Sequence, residues 1–344
     1  MQEIKNEATP AIVLPDPETG KRYNAQGEFL KRKFGGKIVK ISLNGGFTCP
    51  NIDGTKGTGG CSYCSSAGSG DFAGNPLMSI SEQFAAGKKL LEAKWGTDVR
   101  FIPYFQANTN TYAPLPKLKA MFEEALSLEN AVGLAISTRP DCISEETADY
   151  LAELSSRTYL TVELGLQTVH DSTAEKINRC HTFGEFLHGF HMLKSRGINI
   201  CVHIINGLPG ETREMMLETV RTVAGLGIHG IKIHLLHIIR GTRLAEQYLR
   251  GEFKAMGMEE YVELVCDQLE ILPKEVLIER LTGDGARDSL IAPLWSRDKK
   301  AVLNGIDKEL RRRGTVQSSA FSTVIGGDPF EFRCRKRSFQ KYRL

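Results

Sequence analysis

Residues 37–64 read KIVKISLNGGFTCPNIDGTKGTGGCSYC. The first eight, KIVKISLN (37–44), predict a strand, and the chain then breaks into a glycine-rich loop. That loop sets Cys49, Cys61 and Cys64 in the spacing Cys-x11-Cys-x2-Cys. Gly54, Gly57, Gly59 and Gly60 lie between the first thiol and the second, so the loop can double back with positive φ at several positions. Three soft thiolates converging on one point suit iron–sulfur or zinc chemistry. Three ligands leave one corner open, and an open corner is where a metal centre does chemistry. A structural zinc site is the alternative. It wants a fourth ligand, for which Cys142 or His181 is available.

Outward from this stretch the chain keeps a strand–helix rhythm. Helical spacing over 80–96, 115–130, 144–157 and 211–227 alternates with strand-like runs at 100–107, 131–138, 158–167, 198–207 and 230–239; helix-forming stretches fill the interval to Gly197. Such alternation is the signature of βα units on a parallel sheet. Six units with right-handed crossovers curl toward a barrel that eight would close. The expected fold is therefore α/β, an incomplete (β/α)6 TIM-like barrel with a C-terminal α/β extension. We expect a loosely packed lead-in over 1–30, the partial barrel over 31–240, the extension over 241–320 and a basic tail over 321–344. The extension holds an expected helix at 257–271, a strand at 276–283 and a charged helix at 298–314.

With 344 residues, 41% hydrophobic and 25% charged, the chain is an ordinary globular protein with ample material for a core. It has no apolar run of about 18 residues and no secretory leader, which predicts no membrane partner. Its eight cysteines do not form the framework of a small secreted domain, and a reducing cytoplasm is expected. The net charge of +3 is too small to argue for nucleic acid alone.

The other strand ends carry polar groups. Gln106, Asn108 and Asn110 follow the second strand; Thr138, Arg139 and Asp141 follow the third; Glu163 and Gln167 stand on the fourth. His203 and the turn GLPGE (207–211) belong to the fifth, and His234 and His237 to the sixth. Strands covered on both faces should be apolar throughout. Polar residues gathered at one end of every strand mark a shared pocket, at the C-terminal mouth where barrel enzymes keep their active sites. Any single one of them also reads as a satisfied buried polar group or a turn residue. Lys56, within the cysteine loop, reads as a solvated lysine. Cys142, Cys180, Cys201 and Cys266 read as small packing residues.

These motifs resemble the radical S-adenosylmethionine (radical SAM) enzymes. STRPDC (137–142), VELGLQT (162–168), INRCHT (177–182), CVHIINGLPGE (201–211) and KIHLLHIIRGT (232–242) look like the catalytic subunit of the elongator complex. The cysteine loop, YFQANTNTY (104–112), ELGLQTVHDSTAEKINRCH (163–181) and LIAPLW (290–295) resemble the YhcC/YtqA (MnmL-type) group more closely. The resemblance covers roughly residues 30–320. It implies a [4Fe–4S] cluster on Cys49, Cys61 and Cys64 and S-adenosyl-L-methionine on its open iron, cleaved to a 5′-deoxyadenosyl radical that abstracts a substrate hydrogen. By position, Glu163, Gln167, Arg179, His203, Gly207 and Thr138 would hold S-adenosylmethionine. Gln106, Asn108, Asn110, Asp141 and His237 are candidates for contact with substrate.

The resemblance also implies a tRNA substrate, with the wobble 5-carboxymethylaminomethyl(-2-thio)uridine remodelled to its 5-aminomethyl form. A reducing partner such as flavodoxin or ferredoxin would supply the electron. No room for an acetyltransferase domain follows residue 320, so acetyl transfer is not expected. Lys31 to Lys33, Arg311 to Arg313 and the tail Arg333 to Arg343, with Phe332, Phe339 and Tyr342 interleaved, are candidate contacts to phosphates and bases. Two other readings stay open from the residues: the same chemistry on a small metabolite or protein, and a zinc-stabilised RNA-binding protein without catalysis.

Overall fold

A run of seven short apolar segments, each bounded by turn residues, builds one parallel sheet. The computed structural model describes residues 12–65, 68, 73–283, 285 and 288–321. Its strands are β1 (Lys37–Leu43), β2 (Val99–Phe105), β3 (Gly133–Thr138), β4 (Tyr159–Gln167), β5 (Asn199–Asn206), β6 (Gly230–Leu235) and β8 (Leu277–Arg280), paired in that order. The sheet curls into a partial TIM barrel, as the βα rhythm predicts.

Three details differ from the sequence reading. The sheet has seven strands, because Leu277–Arg280, expected in the extension, pairs in parallel with β6. The run 230–239 is two strands: β6 ends at Leu235, and β7 (Ile238–Ile239) leaves the sheet to pair antiparallel with β9 (Leu290–Ala292). The lead-in is also not loose where it is described. Asn24 and Tyr23 are buried, the Asn24 carbonyl accepts from the Ile278 amide at 2.8 Å, and α1 spans Gln26–Phe34. Residues 1–11 and the basic tail, with Phe332, Arg333, Phe339, Tyr342 and Arg343, lie outside the described residues.

Helices cover the outer face. They are α2 (Ile80–Trp95), α3 (Leu115–Leu126), α4 (Glu145–Arg157), α5 (Asp171–Lys176), α6 (Phe183–Lys194), α7 (Arg213–Gly225), α8 (Arg243–Leu249), α9 (Met258–Ile271) and α10 (Lys299–Arg313). Local signals start them where expected: the Ser144 hydroxyl accepts from the Thr147 amide, and Thr182 and Glu185 cap α6 reciprocally. Helices such as α2, α3, α4, α6 and α7 lay apolar stripes on the sheet, while α10 packs on α9. Leu118, Phe122 and Ala125 of α3 are fully buried, with the Phe122 ring 5.0 Å from that of Phe105 on β2. Each such Leu or Phe contributes about 2–3 kcal/mol through burial. No helix among the described residues is long and apolar enough to cross a membrane.

The inner face is layered. At the N-terminal ends of the strands Ile38, Ile102, Ala135 and Tyr159 pack with Leu30, Phe29 and Phe34 of α1 and close the lumen with an apolar floor. Above that floor the strands turn polar toward the mouth, where the cysteine loop hangs from the end of β1.

Candidate functional site

The cysteine loop folds on its own main chain. The Cys49 carbonyl accepts from the amides of Ile52 (2.8 Å) and Asp53 (3.1 Å), and the Pro50 carbonyl from Lys56 (2.8 Å) and Gly57 (3.1 Å). Gly54, Gly59 and Gly60 take φ of 91°, 73° and 70°. Gly57 has another reason to be glycine: a Cβ there would sit 2.3 Å from Asn51 Oδ1 and 2.8 Å from Cys180 Sγ.

The INRCHT segment is clamped against this loop. Asn51 Nδ2 donates to the Asn178 carbonyl at 2.5 Å, Asn178 Nδ2 returns to the Gly60 carbonyl at 2.8 Å, and the Ser62 amide reaches the Ile177 carbonyl at 2.9 Å. Arg179 is buried and gives its guanidinium to carbonyls: Leu166, Thr168 (2.7 Å) and His181 (2.9 and 2.8 Å). Arg139 spans Asp141 (2.9 Å, twice) and the carbonyls of Arg179 (2.8 Å) and Cys180 (3.0 Å). Asp141 in turn holds Lys56 at 2.7 Å, and Lys56 also reaches Glu185 at 2.9 Å. Lys56 is therefore a tether of the loop rather than a solvated lysine.

The donor set suits a metal centre. A hydrogen bond from Cys64, then Tyr63, Arg139 and Asn51, bring the Cys61 thiol down to about 6 despite burial, so it carries thiolate character at neutral pH. Cys142 goes the other way, to about 12, through burial and the neighbouring Asp141. Among the described residues no three His, Cys, Asp or Glu side chains converge tightly enough for a single ion. The Cys61 sulfur receives an amide hydrogen bond at 3.6 Å from Asn51, the kind of contact that tunes a metal-bound thiolate.

The other expected residues divide into two groups. At the mouth, Gln106 accepts from Ser42 (3.2 Å) and Asn108, at φ 58°, donates to the Phe47 carbonyl (3.0 Å). Asn110 donates to the Ser137 carbonyl (2.7 Å) while its buried Oδ1 has no partner among the described residues. The Thr138 hydroxyl is 2.6 Å from that of Thr111. Gln167 sits at φ 63° on a bulge of β4, its buried Oε1 without a partner among the described residues. Gly207, at φ 88°, borders a cleft of about 340 Å³ lined also by Pro209, Thr212, Phe253, Lys254 and Met256. His237 lies apart, its ring packed over Gly283 and Gly285.

Glu163 and His203 belong to a different layer, inside the lumen. Glu163 is fully buried and accepts from Lys40 (2.7 Å), Tyr104 (2.7 Å), Lys232 and His203 Nε2 (2.7 Å). Lys40 also reaches Glu279 at 2.7 Å. Burial pushes the Glu163 carboxyl up, but Lys232, Lys40 and His203 hold it well below the usual carboxylate range. The two lysines part company. Lys40, bonded to two carboxylates, is raised in spite of burial; Lys232 is lowered, first by burial and then by the like charge of Lys40, against the pull of Glu163. Lys40, Tyr104, Lys232 and Glu279 were not expected as site residues. The available signal was a charge inside strand runs that a doubly covered sheet should keep apolar: KIVK, GIKIH and VLIER.

Those of the basic groups expected to meet phosphates that are described lie at the other end of the barrel. Arg32 pairs with Asp16 (2.6 Å), and Lys33 lies over the Tyr159 ring at the start of β4. Arg313 pairs with Asp267, Glu270 and Glu309, and Arg312 with Glu309. These pairings sit beside the N-terminal ends of the strands, away from the cysteine loop.

Known proteins resemble the chain in sequence and in fold. The family described as the radical SAM superfamily matches residues 52–223, and the radical SAM C-terminal domain matches residues 228–312. The protein YtqA of Bacillus subtilis is 50% identical over 311 residues, 90% of this chain and 96% of its own. A tRNA uridine(34) acetyltransferase of Methanocaldococcus infernus is 32% identical over 182 residues, 48% of this chain and only 34% of that protein. The solved structure of Elp3 from Methanocaldococcus infernus, lacking its N-terminus, superposes with a TM-score of 0.61 at 20% identity, over 81% of this chain and 64% of that one, which shows the shared fold.

Proposed function

The chain belongs to the radical SAM superfamily, and from that premise we propose that it remodels the wobble uridine of tRNA, converting the 5-carboxymethylaminomethyl(-2-thio) form to the 5-aminomethyl form. A radical SAM enzyme is what the family implies, with a [4Fe–4S] cluster and S-adenosylmethionine as its cofactors. When bound, these supply the electron and the 5′-deoxyadenosyl radical that takes a substrate hydrogen.

Cys49, Cys61 and Cys64 would hold the cluster. The observation that carries this assignment is the position of the cysteine loop at the C-terminal end of β1, its shape fixed by hydrogen bonds from Asn51, Asn178 and Arg139. For S-adenosylmethionine we assign Gln167, Thr138 and Gly207, which stand at the mouth; the buried Gln167 Oε1 is an acceptor still lacking its donor. Arg179 spends its donors on main-chain carbonyls, so we give it the duty of shaping the pocket wall. Gln106, Asn108, Asn110 and Asp141 form the rim facing the loop. The tRNA substrate is supported by the similarity to the tRNA uridine(34) acetyltransferase. A small reductant of the flavodoxin or ferredoxin class would complete the system, in the cytoplasm.

Two experiments test this. Anaerobically purified protein should be brown, and Cys61→Ala should lose the colour together with all deoxyadenosine production; a colourless wild-type protein holding stoichiometric zinc sinks the cluster. Nucleoside mass spectrometry of tRNA from a deletion strain should show the carboxymethylaminomethyl form accumulating at the wobble position. Unchanged wobble uridines sink the substrate assignment.

A further inference from the structure

Inside the lumen, β5 carries an imidazole whose tautomer the surrounding layer dictates. Glu163 Oε2 accepts from Tyr104 and Lys232, and Oε1 accepts from Lys40. The carboxylate is anionic, so the His203 Nε2 lying 2.7 Å from Oε2 must carry the hydrogen. Nδ1 is left as the lone-pair nitrogen. The His203 side chain keeps 16% of its exposure whereas Glu163 keeps none, so the imidazole is the member of the pair that the lumen can reach. The apolar cluster of Ile38, Ile102, Ala135 and Tyr159 with α1 lies on the N-terminal side of this layer.

The groups that act on His203 are Glu163 from β4, Lys232 and His234 from β6, and Glu279 from β8; Tyr104 from β2 and Lys40 from β1 bond to Glu163, and Arg280 from β8 acts on His234. Burial, then Lys232, push the imidazole below its ordinary range against the pull of Glu163, so it is neutral at pH 7. The His234 ring lies 5.2 Å away with a buried Nε2 that has no partner.

We propose that His203 is the general base of the reaction, that its Nδ1 takes the proton of a secondary ammonium group on the substrate, and that Glu163 is its positioning residue. The proposal rests on the wobble-uridine reading, because the carboxymethylaminomethyl substituent carries such a group. In the proton transfer the substrate N–H bond breaks, the electron pair stays on nitrogen and the proton passes to Nδ1. The resulting imidazolium is stabilised by Glu163. The transfer serves hydrogen abstraction, since a carbon radical beside a neutral amine is stabilised by the nitrogen lone pair and one beside an ammonium is not.

The test uses the holoenzyme and tRNA from the deletion strain. His203→Gln should bind S-adenosylmethionine within about twofold of wild type while converting tRNA about 100-fold more slowly, the usual size of a lost general base. The residual rate should climb about tenfold per pH unit above neutrality as the substrate amine loses its proton to solvent, whereas the wild-type rate is flat there. Nitrogen-15 spectra of histidine-labelled holoenzyme should show His203 as the neutral Nε2–H tautomer at pH 7. An Nδ1–H tautomer, an imidazolium at pH 7, a variant with the wild-type pH profile, or loss of S-adenosylmethionine affinity each overturns the proposal, the last by returning His203 to cofactor binding. A wild-type enzyme that cleaves S-adenosylmethionine but leaves this tRNA untouched overturns the substrate reading, and with it the identity of the amine; that failure is recognisable because it precedes any mutation.

Discussion

The mouth and the lumen of this barrel use their polar side chains in opposite ways. At the mouth Arg139, Arg179, Asn51 and Asn178 are aimed at main-chain carbonyls, which neither titrate nor move independently of the chain. In the lumen Lys40, Tyr104, Lys232 and His203 are aimed at one carboxylate, and every member but Tyr104 changes charge in an accessible range or is held charged by its neighbours. The mouth is therefore built to keep a loop shape without ladder hydrogen bonds, and the lumen to keep a charge state. One is sensitive to geometry and the other to pH.

The largest effect that tests this contrast is Glu163→Gln. Removing the carboxylate leaves Lys232 without its anion and Lys40 with Glu279 alone, an unbalanced buried charge that should cost about 3–5 kcal/mol in urea unfolding at pH 7. The sign with pH follows from the depressed carboxyl. Its stabilisation is complete above the unfolded value near 4.3 and is lost as pH falls below it, so the wild type should weaken on acidification more steeply than the variant. A loss under about 1 kcal/mol at pH 7 would mean that the layer is wet and loosely held, and the contrast with the mouth would disappear.

Asp141 is the mouth's exception, a carboxylate paired with side chains, and it should behave like a smaller copy of the lumen. Burial raises it, but Arg139 and Lys56 bring it down from 3.8 to about 2. That shift contributes about 2 kcal/mol above pH 4, lost as pH falls from 3.8 toward 2. Acid unfolding followed by circular dichroism should show this segment flattened in Asp141→Asn. An unchanged acid limb would place the mouth's stability wholly in its carbonyl contacts.

Much of this was legible in the residues. The βα rhythm announced the curled parallel sheet, and the three cysteines, QANTN, STRPDC and GLPGE marked its C-terminal mouth, because turn residues and thiols are local signals. What stayed hidden was long-range. Nothing local says that Lys40, Lys232 and Glu279 share a lumen with Glu163, since their meeting depends on the curl of strands over 200 residues apart in the chain. VLIERLTG reads as a strand, but its place as the seventh in the sheet is decided by α9 and the pairing with β6. The short pair of β7 and β9 merged with its neighbour for a similar reason: Ile238 and Ile239 continue the apolar run of β6, and only tertiary pairing separates them. The arginines of α10 likewise look like phosphate ligands until Asp267, Glu270 and Glu309 are brought beside them.

The smallest effect sharpens the comparison most. Lys56 stands midway between Cys49 and Cys61, is about a third exposed, and ties the loop to Asp141 and Glu185 at 2.7 and 2.9 Å. Ion pairs this exposed contribute roughly 0.5 kcal/mol, so Lys56→Ala should barely change the unfolding midpoint. Its consequence should be kinetic and local. With the tether gone, the loop opens more often, and a chelator should strip iron from the reconstituted protein several-fold faster, followed by the decay of visible absorbance. Equal stripping rates would mean that Asn51, Asn178 and the glycine turns fix the loop unaided, and that its ion pairs are incidental to a shape set by main-chain hydrogen bonds.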